Sequence, residues 1–270
     1  MMRFGFTVIA TLGAVFTTAS YVFADVPPPE ARAASIVFLG EQHDNPAHHE
    51  VQAAWVAELQ PAAIVFEMLT EAQADGITPA ALQDEAALER ALSWNESGWP
   101  DFAMYYPIFA AAPEARVFGA AVPRAQIGDI MKRDLADVAG PEITTRFALD
   151  AKLPDAQLAQ RLDLQSSAHC DALPEAFLPR MVDVQRLRDA VLAQTALHAL
   201  QTAGGSVVVI TGNGHAREDW GAPFLIKTAE PDVSVFSLGQ GEDGKIPTGG
   251  FTAVLDGPAV DRGDPCAVFD

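Results

Sequence analysis

Short apolar runs alternate with helical patterns along the chain. Continuous runs rich in Val, Ile and Phe predict buried strands at 35–39, 62–68, 116–122, 206–210 and 233–238, with an edge strand at 249–255. Continuous strands separated by helices are typical of a parallel sheet that is covered on both faces. The predicted fold class is therefore α/β, with a mostly parallel central sheet flanked by helices.

Two helical stretches are longer than a simple strand connection requires. They cover about 70–112 and 139–178, and they predict a helical cap subdomain inserted in the α/β core. A long helix is expected from about 179 to 203, ending at a pair of glycines. We expect residues 25–270 to form one domain.

Polar side chains follow four of the predicted strands at the point where each strand ends. Because the carboxyl ends of parallel strands meet at one edge of a sheet, where ligands bind in open α/β folds, we expect these side chains to converge. The members of this strand-end cluster are Glu41, His43, Glu67, Arg124, Asn213 and His215. In a catalytic role, Glu41 or Glu67 would activate a water, and His43 and His215 would be metal ligands or acid–base partners.

Three polar residues near this edge allow a structural interpretation as well. Glu67 ends an apolar strand, so it either forms an ion pair with Arg124 or Arg188 that braces the fold, or acts as an acid–base group or metal ligand. Arg188 lies on an apolar helix face and either pairs with Glu67 or meets a carboxylate of a ligand. His48 lies near the apolar stripe of the first long helix, which favours a structural histidine.

The segment at 97–109 is unusually aromatic, since six of its thirteen residues are aromatic or Met. It is either the core of the cap or an apolar wall for a flat ligand, formed by Trp99 and offering Tyr105 or Tyr106 as an oxygen ligand. Tyrosinate is a known axial ligand of ferric haem, and an apolar slot with few polar anchors suits a porphyrin.

The charge balance excludes one class of partner. The chain has 17 Lys and Arg residues against 36 Asp and Glu residues, a net charge of −19. A nucleic-acid partner needs a basic face, and anionic lipid headgroups are disfavoured for the same reason.

The first 24 residues have the pattern of a secretory signal peptide. Arg3 supplies the positive charge, 4–16 is apolar, and Ala24 lies at the expected cleavage site. Polar residues at 17–20 disfavour a retained membrane helix, which needs about 20 apolar residues. We therefore expect a periplasmic or secreted protein without a stable membrane anchor.

The chain has two cysteines, Cys170 and Cys266. An oxidising compartment favours a disulfide between them, which would tie the C-terminal tail to the middle of the chain. Spacing alone leaves two unpaired thiols as the alternative.

Five sequence blocks in the expected order resemble the ChaN-type haem-binding proteins of the haem-binding uptake, Tiki superfamily. They lie at 40–52, 64–68, 97–112, 168–193 and 211–219. The pairs Gly40-x-x-His43 and Gly212-x-x-His215 also resemble the GxxH motifs of the wider TraB/Tiki clan. That clan includes metal-dependent peptidases, and erythromycin-esterase-like hydrolases are similar in fold.

The ChaN resemblance implies haem binding linked to iron acquisition, in a dimer with haem near the subunit contact. It implies a Tyr as iron ligand, which Tyr105 matches better than Tyr106, and a supporting His, for which His169 and His43 are candidates. Many relatives carry a lipobox Cys that this chain lacks near the cleavage site. The haem-site residues that follow from the segment and the resemblance are Tyr105, Tyr106, Trp99, His169 and Arg188, with Arg124, Arg188 and Arg217 as candidate partners of the propionates.

Two functional hypotheses follow. The first is a secreted binding protein that captures haem for iron uptake, with haem or iron transport machinery as its partner. The second is a hydrolase of the strand-end cluster with a divalent metal ion held by His43 and His215, in which Arg124 or Arg188 would stabilise an oxyanion.

Overall fold

A computed structural model describes residues 26–264 and 266–267, so the predicted signal peptide at 1–24 lies outside the described residues. The described part forms an α/β fold with a six-stranded, all-parallel sheet and eleven α-helices. The strands are β1 Ile36–Glu41, β2 Ala63–Phe66, β3 Arg116–Gly119, β4 Val207–Gly212, β5 Val235–Glu242 and β6 Ala253–Gly257. The predicted fold class is confirmed.

The helices connect these strands and cover the sheet. They are α1 Pro29–Ala33, α2 Pro46–Leu59, α3 Glu71–Asp75, α4 Glu85–Ala91, α5 Phe102–Ala111, α6 Arg124–Ile130, α7 Leu135–Ala139, α8 Pro141–Phe147, α9 Asp155–Ala168, α10 Leu178–Ala203 and α11 Ala222–Ala229. Short 3₁₀ turns lie at Ala81–Gln83, Trp94–Glu96 and Glu175–Phe177. The long helix α10 ends at Gly204, whose φ of 77° is in the left-handed region that favours glycine.

The strand order is β3-β2-β4-β1-β5-β6. β1 lies in the middle and pairs on one side with β4, where Ile36 is opposite Val207, and on the other with β5, where Ile36 is opposite Val235. All residues of β1 and β4 are buried, because each strand has neighbours on both edges and helices on both faces. β6 extends the sheet beyond β5 in the same direction.

Alternate residues of the strands point into two separate cores. On one face, α2 and α5 contribute Trp55 and Phe109 to a core with Phe66 of β2. On the other, α10 contributes Leu187 and packs with Val65 of the same strand. The two helical stretches predicted as a cap pack against opposite faces of the sheet, and the division into core and cap stays a prediction.

The C-terminal tail is attached to the body by a disulfide between Cys170 and Cys266, whose Cα atoms are 5.5 Å apart. Neither cysteine of the described chain is a free thiol. No helix within residues 26–264 is both long and apolar enough to cross a membrane.

Candidate functional site

The strand-end cluster forms at one edge of the sheet because the strands that precede it are neighbours. β3, β2, β4 and β1 are adjacent in that order. Glu41 ends β1, Glu67 follows β2, and Asn213 and His215 follow β4, while Arg124 opens α6 after β3. The parallel arrangement therefore brings these side chains to one edge of the sheet.

The first half of the site is built around the buried carboxylate of Glu41. Nδ1 of His43 donates to Oε1 of Glu41 at 2.7 Å, and the hydroxyl of Tyr105 donates to the same oxygen at 3.1 Å. Nδ1 of His49 lies 3.3 Å from Oε2. The ring of His43 stands 4.7 Å from that of Trp99. Within the described residues, Nε2 of His43 has no hydrogen-bond partner, so this nitrogen is free to meet a ligand.

The second half is built around Glu67. Its Oε2 accepts hydrogen bonds from the hydroxyl of Thr211 at 2.6 Å and from the backbone N–H of Gly212 at 2.9 Å. Its Oε1 lies 3.5 Å from Nε2 of His215. The other ring nitrogen of His215 is 2.6 Å from Oδ1 of Asp189, a residue of α10. His215 is thus held between two buried carboxylates.

Burial and opposite charges together set the ionisation of this site. Burial alone would lower the pKa of His43, but the hydrogen bond with Glu41 and the charge of Glu67 raise this pKa to about 9. Burial would raise the pKa of Glu67, yet the charges of His215 and His43 lower it to about 2. The pKa of His215 is raised by Glu67 and Asp189 despite burial. At neutral pH His43 therefore forms an ion pair with the buried carboxylate of Glu41.

The glycine of each GxxH motif lets a neighbouring side chain approach the backbone closely. A Cβ atom on Gly212 would lie 2.8 Å from Nε2 of His43, and one on Gly40 would lie 2.6 Å from Oδ1 of Asn213. The side chain of Asn213 exchanges hydrogen bonds of 2.8 and 2.9 Å with the backbone of Gln240 and so ties the end of β4 to β5. In this structure Asn213 acts as a brace of the sheet edge.

The ring of His48 is held in place by hydrogen bonds with the backbone. Its Nδ1 accepts from the backbone N–H of Gln42 at 2.9 Å, and its Nε2 donates to the carbonyl of Gly241 at 3.1 Å. Both ring nitrogens are therefore occupied by the backbone, and burial lowers the pKa of this histidine. This agrees with the interpretation of His48 as a packing residue.

A cavity of about 440 Å³, here called the edge cleft, opens beside the cluster; Glu67, Trp99, Arg124, Arg188 and His215 are among its lining residues. Arg124 donates one hydrogen bond, to the carbonyl of Ser97 at 3.1 Å. Arg188 has no hydrogen bond or ion pair with any described residue. The alternative of a bracing ion pair between Glu67 and an arginine is thus wrong, because Glu67 is bound instead by Thr211, Gly212 and His215.

Of the five residues predicted for haem, Trp99 and Arg188 line the edge cleft, whereas Tyr105 does not. Tyr105 is 0% exposed and packs between the rings of His49 and Trp94, at 4.3 and 4.8 Å. Burial and the charge of Glu41 raise its pKa strongly, which disfavours a phenolate. The position of Tyr105 in this structure does not suit a ligand of an incoming metal, and that role stays a prediction.

The other predicted haem residues lie apart from the cleft. The hydroxyl of Tyr106 contacts the carbonyl of Leu82 at 3.4 Å, and Nδ1 of His169 donates to the carbonyl of Gln165 at 2.8 Å. Arg217 is buried, pairs with Asp219 at 2.6 Å and stacks on Trp220. It is therefore already neutralised and is not a free partner for a propionate.

The alternative of a divalent metal between His43 and His215 gains no support. Among the residues that the structure describes, no group of three or more His, Cys, Asp or Glu side chains is arranged to hold a metal ion.

Sequence reasoning missed Asp189 and His49 as members of the site. Asp189 lies seven residues after Val182 and four before Ala193, both buried, so its spacing places a carboxylate on the buried face of α10. This spacing is the feature of the sequence that could have identified Asp189 as a member of the site. His49 follows the packing residue His48, and nothing in the local pattern separates their two roles.

The fold and the site define an α/β protein with paired histidines and buried carboxylates at the carboxyl edge of a parallel sheet. The model of the family described as haem-binding uptake, Tiki superfamily, ChaN, matches residues 29–226, and the chain belongs to this family. Among curated proteins, no sequence matches the chain.

The chain is similar to several solved structures. A structure described as cofacial heme binding to ChaN of Campylobacter jejuni is 20% identical with a TM-score of 0.64, and the match covers 83% of this chain and 88% of that one. The type III effector HopBA1 is 14% identical with a TM-score of 0.45, over 85% and 90% of the two chains. An erythromycin esterase mutant, EreC H289N, is 12% identical with a TM-score of 0.37, over 79% and 72%.

Proposed function

We propose that this protein binds haem outside the cytoplasmic membrane and serves haem or iron acquisition. The observation that carries the proposal is the edge cleft of a ChaN family member, which is lined by an arginine without a partner, Arg188, and by the aromatic side chain of Trp99. The relative from Campylobacter jejuni binds haem cofacially, and the same ligand is proposed here.

The residues of the edge cleft fit a haem. The face of Trp99 would pack against the macrocycle, and the guanidinium groups of Arg188 and Arg124 would pair with the propionates, since an arginine fork matches a carboxylate. If haem binds here, the protein's part would be to supply a ligand to the iron and to exclude water.

Two side chains are candidates for the iron ligand. Nε2 of His43 is without a hydrogen-bond partner in the described chain, and Nδ1 is fixed by Glu41, which is how ligating histidines are usually oriented. Tyr105 is the residue that the family resemblance favours, but it needs α5 to move before its hydroxyl meets a ligand. Neither side chain is among the residues that line the edge cleft, and His43 must release the proton of Nε2 before this nitrogen can bind iron.

The location and assembly belong to the same proposal. A signal peptide at 1–24 would export the chain, and the disulfide between Cys170 and Cys266 suits an oxidising compartment such as the periplasm. A homodimer with haem near the subunit contact, and delivery to transport machinery, follow from the likeness to ChaN proteins.

The test is a titration of the purified protein with haem, followed by the Soret absorbance. We expect saturable binding, with the Soret band shifted or weakened in His43→Ala and the affinity reduced in Arg188→Gln. The matched controls are His198→Ala, an exposed histidine of α10, and Arg90→Gln, an exposed arginine of α4. A Soret band lost in Tyr105→Phe and kept in His43→Ala would assign the ligand to Tyr105, and the absence of any saturable binding would refute the proposal.

A hydrolase is the second candidate, favoured by the hydrogen-bonded pair of His215 and Asp189 next to Glu67. Against it, a carboxylate with a pKa of about 2 is a weak base, so Glu67 is poorly matched to activating water at neutral pH. Turnover of ester or peptide substrates that is abolished in both Glu67→Gln and His215→Ala would support this candidate.

A further inference from the structure

A second cavity, of about 560 Å³, lies on the other side of His215 and is here called the Trp220 cavity. It opens between α9, the start of α10, the loop after β4 and the loop between β5 and β6; Arg161, Leu164, Gln165, Trp220, Lys245 and Ile246 are among its lining residues. None of the five residues predicted for the haem site lines it, whereas Arg217, a candidate partner of a propionate, does. His215 lines both cavities, so the imidazole separates them.

The walls of the Trp220 cavity hold positive charge that the protein neutralises only in part. Arg161 is 8% exposed, and its one hydrogen bond goes to the carbonyl of Trp220 at 3.3 Å. The carboxylate of Asp189 is 3.9 Å away, too far for a hydrogen bond, and is shared with His215. The ammonium group of Lys245 has no hydrogen bond or ion pair within residues 26–264.

Other charges around the cavity are already compensated. Arg217 is paired with Asp219, and Glu242 is paired with Arg262 at 2.7 Å. Arg161 and Lys245 therefore leave positive charge in this cavity that is only partly compensated, on a chain whose overall charge is −19. Burial lowers the pKa of Arg161, as expected for a cation whose partner is remote.

Two polar atoms in the wall are also unsatisfied. Nε of Arg161 and Oε1 of Gln165 are buried without a hydrogen-bond partner in the described structure. A buried polar atom without a partner costs about 1–3 kcal/mol, so such groups call for an explanation. A ligand that enters the cavity and reorients these two side chains would provide one.

Two exposed apolar side chains also line the cavity. Leu164 is 38% exposed and Ile246 is 72% exposed, and both are among the large hydrophobic side chains that the described structure leaves in solvent. Apolar and cationic side chains in one cavity match a molecule that carries an acid group on an apolar body.

We propose that the Trp220 cavity binds a carboxylate carried by an apolar molecule, with Arg161 and Lys245 as its partners. Arg161 has the planar fork of donors that binds a carboxylate through two hydrogen bonds, and Lys245 adds a second positive charge in the same cavity. The carboxylate is either a propionate of a haem in the neighbouring edge cleft or the head of a separate organic acid. The site itself does not depend on the proposed haem function.

The experiment uses two pairs of probes on the purified protein. Octanoate and 1-octanol, compared by calorimetry, test a free acid; haem and its dimethyl ester, compared by Soret titration, test a propionate. The variants are Arg161→Gln and, because a buried arginine is a risk to folding, the exposed Lys245→Gln. Lys132→Gln, an exposed lysine outside both cavities, is the matched control.

If a free acid is the ligand, octanoate binds saturably, octanol does not, and both variants weaken octanoate binding, by about tenfold in Arg161→Gln. If a propionate is the ligand, the variants weaken binding of haem by a similar factor and leave binding of the dimethyl ester unchanged. The proposal is overturned if octanoate does not bind saturably and neither variant changes the ratio of haem to ester affinity. A failure of haem to bind at all would refute the haem function and leave the octanoate measurement to decide this site.

Discussion

Nδ1 of His215 lies 2.6 Å from Oδ1 of Asp189, and this contact joins the end of β4 to the middle of the long helix α10. The two residues are 26 positions apart, and both are almost completely buried. The same imidazole faces Glu67 with its other nitrogen. The pair therefore fixes the wall between the edge cleft and the Trp220 cavity.

Asp189→Asn is expected to lower the pKa of His215. The substitution keeps the shape of the side chain and removes a negative charge that favours the imidazolium. We also expect a loss of about 1–3 kcal/mol in the free energy of unfolding below pH 6, where His215 is charged in both states. NMR titration and urea unfolding measure the two effects. Asp183→Asn on the same helix is the control, and an unchanged pKa of His215 would contradict the role given to Asp189.

The stability of the ligand-free protein is expected to depend on pH through His43 and Glu67. The folded pKa of His43 is raised from 6.5 to about 9, so its contribution is complete below pH 6.5 and is lost as the pH rises through 9. The folded pKa of Glu67 is lowered from 4.5 to about 2, so its contribution is complete above pH 4.5 and is lost as the pH falls through 2. Both contributions are complete between pH 4.5 and 6.5.

Urea unfolding as a function of pH tests this window. In His43→Asn, which retains a donor toward Glu41, the loss of stability between pH 6.5 and 9 should be smaller than in the unmodified protein. Parallel curves for the two proteins over that range would show that the pKa of His43 is not raised by folding.

Gly212→Ala is expected to displace His43 and weaken haem binding without unfolding the chain. The new methyl group would lie 2.8 Å from Nε2 of His43, which is about a third exposed and can turn toward solvent. Gly214→Ala is a matched control two residues away, because nothing lies within 4 Å of its Cβ position. Haem titration and the NMR signal of His43 compare the two variants. Equal haem affinity in both would remove His43 from the site.

The fold could be predicted from the sequence because its signals are local. Each buried strand is a short apolar run that ends at a polar residue, and the parallel arrangement alone brings Glu41, Glu67 and His215 to one edge. The strand-end part of the site follows from the same argument. Asp189 could be found only through the register of α10, since it reaches the site from a helix packed on the sheet.

The position of Tyr105 could not be predicted for a different physical reason. Helix α5 runs from Phe102 to Ala111 and is apolar on nearly every side, so its pattern does not show which side faces the core. In the structure, the contact between α5 and α2 determines which side of α5 faces the core. This contact turns Tyr105 toward Glu41 and His49. The aromatic content of 97–109 thus predicted an apolar wall for a ligand. Of the residues named for that wall, Trp99 lines the edge cleft.

Removing the disulfide is expected to lower the free energy of unfolding by about 2–4 kcal/mol. The bond between Cys170 and Cys266 spans 96 residues, and a loop of this length restricts the unfolded chain considerably. The double variant Cys170→Ser with Cys266→Ser should therefore unfold at a lower urea concentration, as should the reduced protein, and reduction should not affect the double variant further. Peptide mapping under non-reducing conditions checks that the bond is present in the starting protein. Because Cys170 follows α9, which carries Arg161 and Gln165, the variant should also weaken octanoate binding if the bond helps to hold the wall of the Trp220 cavity.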